Sequence, residues 1–164
     1  MAWVGTTVTA QVVSLLVAPQ GLNACVSTLA AAQNFVAAAL GQNQIVAQNI
    51  SIELAERSTN VKYPSICVYC DKIINQLREK FRNFSGTAAM TIEVRVSQDR
   101  LAGIEAQLQL YVDAVTQLLD QNRVDWGEGM YYSGGYEAAL GPVKHGGQNL
   151  IQVGKVTFDV GVSD

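Results

Sequence analysis

Three cysteines and one histidine are the residues in this sequence best suited to chemistry. Cys67-Val68-Tyr69-Cys70 is a C-x-x-C pair, and with Cys25 and His145 it would supply three thiolates and one imidazole, a complete ligand set for zinc. Structural zinc sites hold such pairs on a turn, whereas this pair lies in a run that predicts a strand, where positions i and i+3 point to opposite faces. A thioredoxin-like pair would lie at a helix N-terminus. We therefore predict buried apolar thiols, with no metal and no cofactor.

The remaining motifs also argue against catalysis, and the sequence favours a protein that is not an enzyme. His145 lies in Lys144-His145-Gly146-Gly147, which predicts a solvated turn, and no Gly-x-Ser-x-Gly elbow offers a nucleophile to it. Gly127-Glu128-Gly129 and Ser133-Gly134-Gly135 match neither a P-loop nor a dinucleotide-binding fingerprint. Both glycine pairs predict hairpin turns, and we assign no catalytic residue.

Composition indicates one globular domain and no strong preference for nucleic acid. The 164 residues are 49% apolar and only 15% charged, against about 25% charged in a typical domain. The net charge of −3 lacks the strong basic bias of nucleic-acid-binding proteins. Arg78, Lys80 and Arg82 form a small basic patch, for which a solvated face is the favoured interpretation and contact with a phosphate backbone the alternative.

The distribution of charge is more informative than its sum, because residues 1–52 contain no Asp, Glu, Lys, Arg or His. A helix that faces solvent normally carries charge on its outer side, so this part must be buried by the domain core, by another subunit or by a membrane. A membrane is the weaker option, because 8–18 is too short to span it and polar residues interrupt 22–40. An internal helical hairpin and a subunit-contact arm both remain open. The predicted contact residues of the arm are Val12, Leu16, Leu29, Phe35 and Val36.

Apolar periodicity predicts an α+β fold, with a mostly antiparallel sheet, one long helix packed on it and an N-terminal helical arm. The arm is assigned to 1–49 and the sheet-and-helix core to 50–164, within a single domain 1–164. Predicted helices cover 8–18, 22–40 and 99–121, the last with Asp99 as its N-cap. Predicted strands cover 50–55, 64–70, 90–97, 136–140 and 154–162, and 71–84 is a mixed segment. In the strand 90–97, strict alternation predicts one face in the core and one in water.

Several short patterns resemble those of tail-terminator and head-to-tail neck proteins of tailed bacteriophages, over about Val61 to Asp164. These are Tyr63-Pro64-x-Ile66, the predicted Ser85-Gly86 turn, Ile92-Glu93-Val94-Arg95-Val96, Tyr111-Val112-Asp113-Ala114-Val115, Gly134-Gly135-Tyr136-Glu137 and Gly154-Lys155-Val156-Thr157-Phe158. These patterns follow the order strand, helix, strand, and they do not include a motif of catalytic or ligand-binding residues. The uncharged arm lies outside the pattern.

The resemblance implies a structural virion protein that forms a ring, commonly a hexamer, with no catalytic residues. Such a ring caps the tail tube, docks to the head-connector proteins and surrounds the channel for genomic DNA without sequence-specific binding. The expected partners are therefore further copies of the chain, the tail tube protein and the connector, with no membrane, and the expected location is the virion after assembly in the host cytoplasm. Two alternatives remain: another virion component, such as a neck, head-completion or tail-tube protein, or a small ligand-binding or hydrolytic domain that uses Cys67, Cys70 or His145.

Overall fold

The computed structural model describes residues 3–58 and 61–164, and over these ranges the chain forms four α-helices and a curled sheet of eight strands. The helices are α1 (Val4–Val17), α2 (Leu22–Ala32), α3 (Ile52–Ser58) and α4 (Ile104–Gln121). The strands are β1 (Ile45–Val46), β2 (Ser65–Asn75), β3 (Ser85–Gln98), β4 (Asp125–Gly127), β5 (Met130–Tyr131), β6 (Tyr136–Leu140), β7 (Lys144–Gly146) and β8 (Asn149–Ser163).

The sheet is organised around β8. Along one edge, β8 pairs with the full length of β3, from Ser163 opposite Ser85 to Leu150 opposite Gln98. Along the other edge it pairs in succession with β7, β6 and β5. β2 then follows β3, and β1 follows β2 in the only parallel pairing among the described strands. The prediction of a mixed fold with a mostly antiparallel sheet is confirmed.

The helices α1, α2 and α4 cover one face of this sheet. α1 lies on β2 and β3, α4 lies on β3 and β8, and α2 packs against α4. Their apolar side chains belong to the same buried cluster as those of the strands. The first two helices are therefore part of the core layer, and they do not form an arm that leaves the domain. This burial explains how the helices of the charge-free region avoid water without a second subunit.

The second helix is shorter than predicted, because it ends at Ala32 rather than near Leu40. Asn34 adopts a left-handed backbone with φ 52°, and the N–H of Phe35 donates to the carbonyl of Ala30 at 2.8 Å. The N–H of Asn34 donates to the carbonyl of Ala31 at 3.4 Å. This is a Schellman motif with asparagine in the position usually taken by glycine, which is why the alanine-rich sequence that follows does not continue the helix.

The predicted strand over 50–55 is wrong, because α3 occupies Ile52–Ser58. Ser51 precedes the helix, and its hydroxyl accepts a hydrogen bond from the N–H of Leu54 at 3.4 Å. A serine in this position satisfies one of the donors that the first turn leaves without a partner. The alternation of Ile50, Ile52 and Leu54 was therefore outweighed by a local cap.

The start of α4 also differs from the prediction. The helix begins at Ile104 after Gly103, whose φ of 86° is left-handed, and Asp99 does not cap it. The amide of Gln98 donates to the carbonyls of Arg100 and Ala102, at 2.7 and 2.8 Å. These bonds hold the chain in a turn between β3 and α4, so that helical geometry starts four residues later than expected.

β2 and β3 form a long hairpin that includes much of the segment predicted as mixed. β2 continues to Asn75, and the predicted turn at Ser85-Gly86 is instead the first part of β3. Both faces of β3 are buried around Glu93 and Arg95, so the prediction that one face meets water is wrong. Residues 49–56 lie over the face of β3 that carries Glu93 and Arg95. A cleft, described below, lies beside them on the same face.

Candidate assembly interface

The five residues predicted to contact a neighbouring subunit occupy three different environments. Val12 and Leu16 are 1% and 2% exposed and pack in the core of their own chain, so the prediction is wrong for them. Leu29 and Phe35 are half-buried and pack against the edge of that core. Val36 is 96% exposed, and its role in a subunit contact stays a prediction.

The end of the β2–β3 hairpin carries a concentration of exposed apolar side chains. We call residues 76–83 the hairpin tip. Within it, Leu77 is exposed and Phe81 is 103% exposed, and Ile73 and Ile74 continue the surface into β2. Leu77 and Phe81 both have left-handed backbones, with φ of 46° and 67°. Such a conformation costs about 1–2 kcal/mol for a bulky L-residue, and strained residues of this kind cluster at functional sites.

Basic side chains surround the two exposed apolar residues of the hairpin tip. Arg78, Lys80 and Arg82 all lie in this loop and are exposed. Arg82 forms an ion pair with Glu79 at 3.4 Å, with more than half of each side chain in solvent. An exposed pair of this kind contributes little to stability. The Glu79 carboxylate offsets one of the three positive charges, and the hairpin tip keeps a net positive charge.

A further exposed apolar side chain, Val36, follows α2, between residues that pack against the core of their own protomer. We call residues 34–40 the linker segment. Its last residue is fixed, because the side-chain amide of Asn23 donates to the carbonyl of Leu40 at 2.9 Å and accepts from its N–H at 2.8 Å. The Schellman motif at Asn34 fixes the other end. Between the two ends, residues 36–39 form no helix or strand, and their backbones make no hydrogen bond to any described part of the chain. The segment is therefore a candidate for pairing with another molecule.

A buried charge network lies on the opposite face of the sheet from α1 and α4. Glu93 Oε1 accepts from Arg95 Nε at 2.7 Å, and Glu93 Oε2 accepts from the Tyr69 hydroxyl at 3.0 Å. Lys155 reaches Glu93 Oε2 from β8 at 3.4 Å. The guanidinium of Arg95 also donates to the carbonyl of Ile50. The alternation of β3 places Glu93 and Arg95 on one face, and residues 49–56 exclude water from them.

This network lines a cleft of about 600 Å³ between residues 49–56 and the β6–β7 region. Burial, and then the neighbouring Glu93 carboxylate, raise the pKa of Tyr69 above its usual range, and the protonated hydroxyl donates to Glu93. Glu93, Arg95 and Tyr69 are thus engaged with one another and with the backbone of Ile50. The arrangement anchors residues 49–56 to the sheet, and sequence reasoning missed it because alternating charges are typical of a solvated face.

The cysteines and His145 do not come together. Cys67 and Cys70 lie on opposite faces of β2, as predicted, with Cys70 beside Gly5 of α1 and Cys67 on the side of Arg95. All three thiols are free, and Cys25 Sγ lies 3.8 Å from Gln121 Oε1. His145 belongs to β7 rather than to a turn, at the edge of the cleft. Over residues 3–58 and 61–164, no cluster of three or more His, Cys, Asp or Glu side chains is arranged to hold a metal.

Burial raises the pKa of all three cysteines above the usual value for a thiol. We therefore expect slow reaction of the native protein with a thiol reagent such as DTNB at pH 7, with Cys70 first because it is the most exposed of the three. The thiolate fraction, and hence the rate, should rise about tenfold for each pH unit up to pH 8.5. Denaturant should release all three thiols at once. A rapid native burst at pH 7 would contradict this expectation.

No single helix in the described ranges is long and apolar enough to cross a membrane. α1 and α2 reach the required length and hydropathy only when taken together, across a bend of 44°. Comparison with known proteins adds no identification: no protein-family model matches the chain, and no curated protein is significantly similar to it.

Proposed function

We propose that this chain is a structural protein of a tailed-phage virion that forms a ring, in the manner of tail terminators and head-to-tail neck proteins. In this role it caps the tail tube and joins it to the head connector. The short patterns between Val61 and Asp164 that resemble those families support the proposal. Another virion ring component, such as a neck, head-completion or tail-tube protein, is the nearest alternative.

The observation that carries the proposal is the exposed apolar surface at the hairpin tip and on the linker segment. Phe81 and Val36 are almost fully exposed, at 103% and 96%. The backbone strain at Leu77 and Phe81 favours a loop whose conformation serves a contact. The charge-free helices α1 and α2 do not support the proposal, because they bury their apolar side chains in their own domain.

The solution mass of the intact chain tests the proposal. We expect size-exclusion chromatography with light scattering to give one discrete assembly, with a mass close to six times that of the 17.6 kDa protomer. A monomer across the micromolar range would contradict the proposal. Electron microscopy of negatively stained particles would then distinguish a closed ring from a compact oligomer of the same mass.

Replacing Phe81 with serine is expected to weaken assembly without lowering the stability of the protomer. An exposed aromatic anchor of an interface contributes about 2 kcal/mol or more, which corresponds to a dissociation constant raised on the order of 30-fold. Its side chain contributes no burial within the protomer, so the melting temperature measured below the assembly concentration should not fall. Sedimentation across a dilution series measures the first effect.

Val124→Ser is the matched control for Phe81→Ser. Val124 is also exposed, at 53%, but lies in the connection between α4 and β4 and has an ordinary backbone. Equal weakening by both substitutions would show that general surface hydrophobicity, rather than the hairpin tip, drives association.

The cleft beside Glu93 supports a second candidate, a small-ligand-binding domain. Its volume of about 600 Å³ lies within the usual range of ligand pockets, and Lys155 and His145 stand at its edge. Titration of the protein with small carboxylates and phosphates, followed by the change in melting temperature, tests this candidate. The lack of any shift at millimolar ligand would count against it.

A further inference from the structure

We propose that the linker segment of one protomer adds as a strand to the open edge of β2 in the next protomer. The inference deepens the proposed ring function and rests on it. The occupant of the open β2 edge is a second copy of this chain. The contact is backbone pairing between two strands.

The edge of β2 is open over most of its length. β3 pairs with β2 from Ser65 to Asn75, but on the other side β1 pairs only with Ile66 and Cys67. Beyond Cys67, no described strand lies on that side of β2. Along 68–75 the backbone donors and acceptors on that side therefore have no partner strand, and such an edge is a template for another strand. A bulge between Cys70 and Lys72 interrupts this edge, and there the Cys70 thiol donates to the carbonyl of Lys72 at 3.5 Å.

A groove of about 520 Å³ runs beside this open edge. The first turns of α1 form one wall with small side chains, among them Gly5, Thr6 and Ala10. Residues 47–49, which follow β1, form the other wall. No residue of the linker segment lines the groove, so the segment does not fill the groove of its own protomer.

The linker segment has the properties that this groove requires. Residues 36–39 are Val-Ala-Ala-Ala, uncharged and small enough for a narrow channel. Val36, Ala38 and Ala39 are exposed, whereas Ala37 packs against the core of its own protomer. Their backbone groups are unpaired within the described chain, so a strand addition would satisfy them and those of β2 together. The Schellman motif at Asn34 and the Asn23 contacts to Leu40 fix both ends, which lowers the entropy lost on pairing.

The contact joins two different surfaces, so it is a head-to-tail contact. Each protomer would donate one linker segment and receive one, and repetition of the same rotation closes a ring or continues as a filament. The ring proposal requires a contact of this kind, whereas a symmetric dimer would use one surface twice.

Disulfide trapping with the native Cys70 tests the pairing directly, because Cys70 lines the groove. The variants are Val36→Cys, Ala37→Cys, Ala38→Cys and Ala39→Cys, each oxidised by air with copper phenanthroline and analysed on a non-reducing gel. Paired strands bring opposite Cα atoms to about 4.5–5.5 Å, within the range for a disulfide. Since side chains alternate along a strand, we expect ladders of dimers, trimers and higher species from the position opposite Cys70, weaker ones from the position two residues away, and none from the positions between.

Two controls accompany the trapping experiment. Each reactive variant is repeated with Cys70→Ser, which should abolish the ladder, and Ala102→Cys places a thiol in the exposed turn before α4, which should give no ladder. An independent variant, Ala38→Pro, removes a backbone donor that has no partner inside the protomer, and we expect it to reduce the assembly to monomers. Its melting temperature should equal that of the unaltered chain when both are measured below the assembly concentration.

The outcomes separate this inference from the proposed function. If the unaltered chain is a monomer, both fail. If the unaltered chain assembles, while the cysteine variants give no ladder or equal ladders at all four positions, the ring proposal survives and the strand addition is overturned. Full assembly of the Ala38→Pro variant would also overturn the strand addition. Alternate-position ladders that depend on Cys70 support it.

Discussion

Replacing Glu93 with leucine is expected to lower the free energy of unfolding by about 3–5 kcal/mol, because it leaves a buried guanidinium without its counter-ion. Arg95 is 3% exposed, and Glu93 is the carboxylate that pairs with it. The same substitution removes the acceptor of the Tyr69 hydroxyl. Chemical denaturation followed by circular dichroism, at a fixed protein concentration, measures the shift in midpoint.

Two further variants identify the cause of that loss. The double substitution Glu93→Leu with Arg95→Met removes both charges, and it should recover a large part of the stability, since a buried ion pair is often replaceable by apolar residues of similar volume. Glu79→Gln breaks the exposed pair with Arg82 and should cost less than about 1 kcal/mol. A double variant no more stable than Glu93→Leu alone would show that packing and the hydrogen bonds lost by Tyr69 and Ile50, rather than the unpaired charge, were responsible.

Replacing Gly86 with alanine is expected to destabilise the protein by about 3 kcal/mol, at the upper end of what overpacking costs. A Cβ atom at this position would stand 1.8 Å from the carbonyl oxygen of Ile74, which is part of the β2 backbone. Because a backbone atom cannot rotate away as a side chain can, the two strands must separate near the hairpin tip. Thermal unfolding by calorimetry measures the effect.

Gly161→Ala is the matched control for this variant, since Gly161 is also a strand glycine and lies in β8 opposite Thr87, the neighbour of Gly86. A Cβ atom there would meet only the carbonyl oxygen of Tyr131 at 3.5 Å, an ordinary contact. We expect no loss, and a gain of up to about 1 kcal/mol, because glycine weakens a strand interior. Equal destabilisation by both substitutions would contradict the steric explanation.

Long periodic elements could be predicted from the sequence, and short ones controlled by a single side chain could not. The stripe of Leu108, Val115 and Leu119 identified α4, and the alternation from Met90 to Val96 identified β3. Where the predicted element or its end was wrong, a single capping residue determined the local structure. Ser51 favours helix where alternation favours strand, and Asn34 ends a helix that the alanines would continue.

The interface and the charge network were beyond sequence reasoning for a different reason. Val12 and Val36 are both apolar and both lie in the charge-free region, but only the packing of α1 on the sheet buries one and exposes the other. For Glu93 and Arg95, alternation with apolar neighbours predicts a face in water. The one available signal was their opposite charge at a spacing of two, which places a potential ion pair on one face of a strand.

The central position of β8 has a consequence for how the chain folds during synthesis. β3 is complete by residue 98 and pairs with β2, which precedes it, but its second partner β8 begins only at residue 149, after α4 and four short strands have left the ribosome. Until β8 is present, the edge of β3 that pairs with it is open, and much of the apolar surface beneath α4 is exposed to solvent. Pairing between strands so far apart in sequence is slow to form. Nascent chains should therefore depend on chaperones until β8 emerges, and a pause in translation before residue 149 should increase aggregation.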